Sequence, residues 1–256
     1  MWRTLVVTFL TLTLLLAPGR AEAAFTFDDV DYWVGSGSNQ AALVFDWNDG
    51  IEPQSLAWGY RWDGTATGQD MLFDVLEDDD GLYAKVKLWS SPSGYTLMGI
   101  GYDLDGDGFS LTDGATFTDG IFEGELGLAE DATSEDPDDH YKEGWYTGYW
   151  SYWLSDDDPY GTGAWELSGV GMSARTLTDG DWDGWSFDQD LSSFFNPSPN
   201  DLPSEPVVGE SGVVPEPSSF AIVVGLGVSF GGGAWLRRRR TEHSQRQSPR
   251  FKSGAS

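Results

Sequence analysis

The chain contains no cysteine, which excludes disulfides, zinc-thiolate sites, iron-sulfur clusters and thiol nucleophiles. Basic side chains are scarce: between Ala24 and Val214 only Arg61, Lys85, Lys87, Lys142 and Arg175 stand against 39 acidic residues, a formal charge of −34. Such a field repels phosphate backbones and argues against a nucleic-acid partner. Of the two histidines, neither His140 nor His243 has the spacing of a metal site or the companions of a catalytic triad. No glycine-rich loop runs from a strand into a helix to cradle a phosphate. No period of about 20–50 residues marks a propeller or solenoid.

Both ends read as addresses. Arg3 precedes an apolar run from Leu5 to Ala17, Pro18-Gly19-Arg20 breaks it, and Ala21-Glu22-Ala23 supplies a small-x-small cleavage pattern. The run falls short of the roughly 20 residues that span a bilayer. Residues 1–23 are therefore expected to be a secretion signal, cut after Ala23 by signal peptidase. At the other end, Val214-Pro215-Glu216-Pro217-Ser218-Ser219 leads into an apolar run from Phe220 to Leu236, then Arg237 to Arg240. About 17–19 apolar or small residues just cross a bilayer, and a basic cluster holds its flank on the cytoplasmic side. The segment before it, 196–213, is rich in Pro and Ser and reads as a linker. Residues 241–256 form a basic, polar tail expected to be disordered.

This order of motif, apolar helix and arginines resembles the PEP-CTERM sorting domain of Gram-negative bacteria. The resemblance covers residues 214–240. It implies that Pro215, Glu216 and Pro217 are the sorting motif read by a membrane protease of the exosortase type. The chain would be held briefly in the inner membrane and then passed to the outer surface or an exopolysaccharide matrix. The tail beyond Arg240 departs from the family, which usually ends at the basic cluster. The blocks WVGSGSNQAALVFDWNDG (Trp33 to Gly50) and WGYRWDGTATGQDM (Trp58 to Met71) also resemble exported domains seen beside such tails, an uncharacterised group of secreted β proteins.

What lies between is aromatic and strand-like. Eleven tryptophans fall between Ala24 and Val214, and each large aromatic can bury on the order of 150–250 Å². Short β-type runs at Phe25 to Val34, Ala41 to Trp47, Leu56 to Trp62 and Leu82 to Trp89 are separated by Gly, Asn, Asp and Pro. In the last of these, Leu82, Ala84, Val86 and Leu88 are expected to face the core. Tyr83, Lys85, Lys87 and Trp89 are expected on a half-wet face. Later strands are expected at Tyr95 to Asp103, Ala115 to Thr118, Ile121 to Leu128, Gly144 to Leu154, Ala164 to Gly171 and Trp185 to Phe187. One helix follows Thr67, with Asp70 completing a capping box before Met71, Leu72, Val75 and Leu76. The fold class is all-β: an antiparallel β-sandwich or jelly roll with one short helix, over residues 24–195. A signal helix and a transmembrane helix would flank it.

Two stretches carry metal-ligand spacing. In Asp103-Leu104-Asp105-Gly106-Asp107-Gly108, alternate carboxylates would converge on calcium and the glycine would permit the turn. Its twelfth position is Gly114, so Asp113 would have to substitute, and no helices flank it as in an EF-hand. A solvated Asp-Gly turn is the equal alternative. The second, Asp179, Asp181 and Asp183, has Asp190 at position twelve, although Trp182 and Trp185 interrupt it. Runs Asp78 to Asp80 and Asp156 to Asp158 read as solvated turns.

The aromatic segment Tyr141 to Leu154 admits two readings, a core strand or an exposed platform. In the second, Trp145, Tyr149, Trp150 and Trp153 would stack sugar rings. Glu123 and Glu125 share a strand face and would be the carboxylate pair of a glycoside hydrolase. The expectation favoured here is a non-enzymatic, exported envelope or matrix protein stabilised by calcium. A carbohydrate-binding module, with extracellular polysaccharide as its partner, and a glycoside hydrolase are the alternatives.

Overall fold

The computed structural model describes residues 24–90, 93–124, 131–144, 147–190 and 201–207. All of them lie within one compact unit, Met1–Val214. Among the described residues the chain is mostly β, with two sheets and one α-helix.

The first sheet holds β1 (Trp33–Gly35), β2 (Asn39–Asp46), β3 (Ser55–Trp62), β8 (Tyr149–Ser155), β9 (Glu166–Leu167) and β10 (Asp181–Asp188), in the order β1-β3-β2-β10-β8-β9. The second holds β4 (Leu82–Ser90), β5 (Ser93–Tyr102), β6 (Ile121–Glu123) and β7 (His140–Glu143), in the order β6-β4-β5-β7. Most pairings are antiparallel, as the sequence suggests. Three are not: β1 with β3, β10 with β2, and β4 with β6 run parallel. The long excursions between these partners make that possible, since parallel neighbours cannot be joined by a tight hairpin.

Period-two alternation sends Leu43, Phe45, Leu56, Trp58, Trp150, Tyr152, Trp185 and Phe187 to one face of the first sheet. There they meet Ala84, Val86, Ile100 and Tyr102 of the second. Trp47 crosses the gap, donating its indole N–H to the Ile100 carbonyl at 3.0 Å. Helix α1 (Gly68–Asp78) closes one end with Met71, Leu72, Val75 and Leu76. Its N-terminus carries the capping box read from the sequence: Thr67 Oγ1 accepts from the Asp70 amide at 3.1 Å, and Asp70 Oδ2 accepts from the Thr67 amide at 2.8 Å.

The outer faces are covered too. On the first sheet, Phe25, Phe27, Tyr160 and Trp165 pack around the fully buried Trp182. The run Phe25 to Val34, expected as one strand, instead forms a 3-10 turn at Phe27–Asp29 followed by the short β1. Residues 201–207, expected within the linker, lie on the same face: Ser204 bridges Asp46 and Ser55, and Pro203 is buried against Gly184. A methyl at Gly184 would stand 2.7 Å from both Pro203 and Trp165, so only glycine lets that cover close. On the second sheet, Phe109 stacks on Tyr83 at 4.5 Å. Lys85 and Lys87 are buried, where a half-wet face was expected. Lys85 is held by Glu143 at 2.8 Å and Asp113 at 2.5 Å.

Candidate metal centre

Strands β5 and β7 are antiparallel, with Gly101 opposite Tyr141 and Tyr102 opposite His140. One step further, Asp103 leaves β5 where Asp139 enters β7, so the register sets two carboxylates across from each other. Like charges so placed repel unless something positive lies between them. Asp105, two residues along the loop, joins them: one carboxylate oxygen from each of Asp103, Asp105 and Asp139 lies within 4.8 Å of the others.

The loop is shaped by its own acids. Asp103 accepts from the Gly106 amide at 2.7 Å and from the Gly108 amide at 2.9 Å, while Asp105 accepts from the Asp107 amide at 3.1 Å. Gly106 takes a φ of +74°, which a side chain would resist. Asp139 is 3% exposed; its Oδ1 accepts from the Leu104 amide at 3.1 Å and its Oδ2 has no hydrogen-bond partner among the described residues. Burial pushes its pKa up to about 6, the Leu104 amide opposes the rise, and the charges of Asp103, Asp136 and Asp105 add to it.

The structure brings together some of the residues singled out in the sequence and not others. Asp103 and Asp105 converge, whereas Asp107 does not join the group and is fully exposed. The charge of Asp105 is the main reason its pKa is raised. Asp113 cannot serve as the twelfth-position ligand because it pairs with Lys85. Burial raises its pKa, but the Lys85 ammonium and the Ala115 amide outweigh that and leave it lowered. The third converging carboxylate is Asp139. No spacing rule on a single sequence reaches it; only the pairing of β5 with β7 does.

The second Asp-x-Asp-x-Asp stretch is a turn at Asp179 and Gly180 that runs straight into strand β10. Asp181 and Asp183 sit in β10 and point to one face, where Arg175 pairs with both, at 2.7 Å and 3.3 Å. Tyr152 donates to Asp183 Oδ2, and Asp179 accepts from the Gln40 amide at 2.9 Å. Asp190 follows the far end of the strand. These four carboxylates do not meet as a ligand set. The turn at Asp78 to Asp80 is likewise not merely solvated, since Asp79 is buried beneath Trp58.

The aromatic platform is replaced by core. Tyr149, Trp150 and Trp153 are 6%, 8% and 5% exposed, too little for a sugar ring to stack on them. Trp145 and Glu125 lie outside the described residues, as do Pro215, Glu216, Pro217 and the apolar stretches at both ends. Glu123 is exposed and accepts from the Tyr95 hydroxyl at 3.0 Å. His140 is stacked on Trp47 at 4.4 Å, with Nδ1 3.0 Å from Asp49 Oδ2 and Nε2 2.9 Å from the Pro53 carbonyl. That is a core role.

A separate groove of about 350 Å³ runs past Trp89, Tyr95, Thr96 and Ser173. Trp89 is 36% exposed there and its indole N–H is held by Thr96 at 3.0 Å. No described helix is long and apolar enough to cross a membrane. Comparison with known family models, curated proteins and solved structures gives no match for this chain.

Proposed function

We propose that this chain is an exported, non-enzymatic β-sandwich protein of the bacterial envelope or extracellular matrix, sorted by an exosortase-type system. The observation that carries the reading is the order of segments in the sequence. A short apolar leader stands in front, and Pro215-Glu216-Pro217, an apolar stretch and Arg237 to Arg240 stand behind. The body between them supports a scaffold role. Its aromatics are spent on covering both faces of a sheet, and its surface charge is strongly negative. Signal peptidase and an exosortase-like membrane protease are its processing partners, and the inner membrane holds it only in transit.

The test is fractionation of a host that carries the sorting protease. Wild-type chain is expected outside the inner membrane in processed form. A variant with Pro215, Glu216 and Pro217 replaced by alanine is expected to stay unprocessed in the inner membrane. Unprocessed wild-type chain in the soluble cell interior would overturn the proposal.

A second reading, a saccharide-binding surface, is favoured by one observation, the exposed Trp89 flanked by hydroxyl groups in its groove. An indole face stacks on sugar C–H groups while Ser and Thr hydroxyls reach the rim. Binding of a neutral polysaccharide that disappears in Trp89→Ala would support it. Unchanged binding in that variant would remove it.

A further inference from the structure

We propose that Asp103, Asp105 and Asp139 bind one calcium ion that clamps the loop after β5 to the start of β7. The choice of ion rests on the export reading, because calcium is millimolar in many extracellular settings. The donor set stands on its own geometry.

Three observations converge. The β5–β7 register forces Asp103 and Asp139 together, so their proximity is a product of sheet pairing and not of a chance surface conformation. Asp139 Oδ2 is buried without a hydrogen-bond partner among the described residues, beside two other carboxylates, and a buried acceptor left unsatisfied is costly. The three oxygens span no more than 4.8 Å, the distance two ligands cover across a calcium ion with bonds of about 2.4 Å.

The donors are all hard oxygen, with no sulfur or imidazole among them, which suits calcium over zinc or iron. Magnesium, which keeps its waters and usually takes one or two carboxylates with a phosphate, fits less well. Asp103 already accepts two loop amides, yet each of its oxygens retains a second lone pair for the ion.

The clamp has a structural consequence. The chain between the two ends of the site carries Phe109 over Tyr83 and Asp113 onto Lys85. Calcium would therefore fix the cover of the second sheet as well as the loop.

The experiment is thermal melting and calorimetric titration of the full-length chain with calcium, magnesium and EGTA. Wild type should bind one calcium and melt about 5 °C higher or more at a hundredfold excess over Kd, reversed by EGTA. Asp139→Asn and Asp105→Asn should lose that rise, whereas Asp107→Asn should keep most of it. Without calcium, Asp139→Asn should melt no lower than wild type, because asparagine still accepts from Leu104 and removes a buried charge. A purely structural aspartate would give a lower melting point there.

The site is overturned by a wild-type midpoint that ignores millimolar calcium, by a rise that survives Asp139→Asn, or by an equal rise with magnesium. An exported chain indifferent to calcium would sink this inference alone. A calcium-binding chain retained in the cell interior would sink only the export reading.

Discussion

Trp58 donates its indole N–H to Asp79 Oδ2 at 2.7 Å, with both side chains buried, and Asp79 Oδ1 accepts from the Gly81 amide at 2.9 Å. The pair ties β3 to the exit of α1. Burial is the main reason the Asp79 pKa is raised, its two hydrogen bonds oppose the rise, and Asp80 and Asp78 add to it. Trp58→Phe keeps most of the volume but removes the donor. It is expected to cost about 1–3 kcal/mol in urea unfolding. The loss should be greater at pH 7 than at pH 4, because the ionised carboxylate needs that donor most.

The central elements are legible in the sequence because their patterns are local. Thr67 and Asp70 announce the helix, and alternation from Leu82 onward announces β4. The pairings are not local. Nothing in the run Asp181 to Asp188 says that it lies between β2 and β8, and that placement turns an apparent ligand loop into a strand gripped by Arg175. The same limit hides Asp139: His140 to Glu143 is too short a run to read as a strand, and its register with β5 decides the candidate site. Lys85 misleads for a related reason, since Asp113 and Glu143, which hold it, come from elsewhere in the chain.

Burial pushes the pKa of Asp183 up to about 6, against the opposing hydrogen bond from Tyr152 and the charge of Arg175. A folded-state value above the unfolded one means that this group's stabilising contribution is complete below about pH 4 and is lost as pH rises through about 6. The stability of wild type minus that of Asp183→Asn should therefore grow as pH falls from 7 to 4, by at most about 3 kcal/mol. Chemical denaturation of both proteins across that range measures it. A difference that shrinks on acidification would refute the assignment.

Lys85 and Glu143 form a buried pair, with Tyr141 also donating to Glu143 at 2.8 Å. Lys85→Met leaves the Glu143 carboxylate without its counter-ion and is expected to cost about 3–5 kcal/mol. Changing both residues, Lys85→Met with Glu143→Leu, should recover much of that, since a buried pair often does little better than packed apolar groups. Additive losses in the double variant would show that the pair is not the relevant unit.

Tryptophans on the two kinds of surface should behave in opposite ways. Trp150 lies between Phe45 and Phe187, with ring centroids 6.1 Å and 5.4 Å away, and donates to the Lys142 carbonyl at 3.2 Å. Trp150→Ala removes an indole from a closed interior and leaves a cavity, so a loss of about 3–5 kcal/mol is expected in denaturant unfolding. Trp89 lies on the rim of an open groove, and Trp89→Ala should stay within about 1 kcal/mol of wild type, as surface substitutions do. If Trp150→Ala instead unfolds with an unchanged midpoint, the aromatic strand is not core, and a stacking role for Tyr149, Trp150 and Trp153 returns.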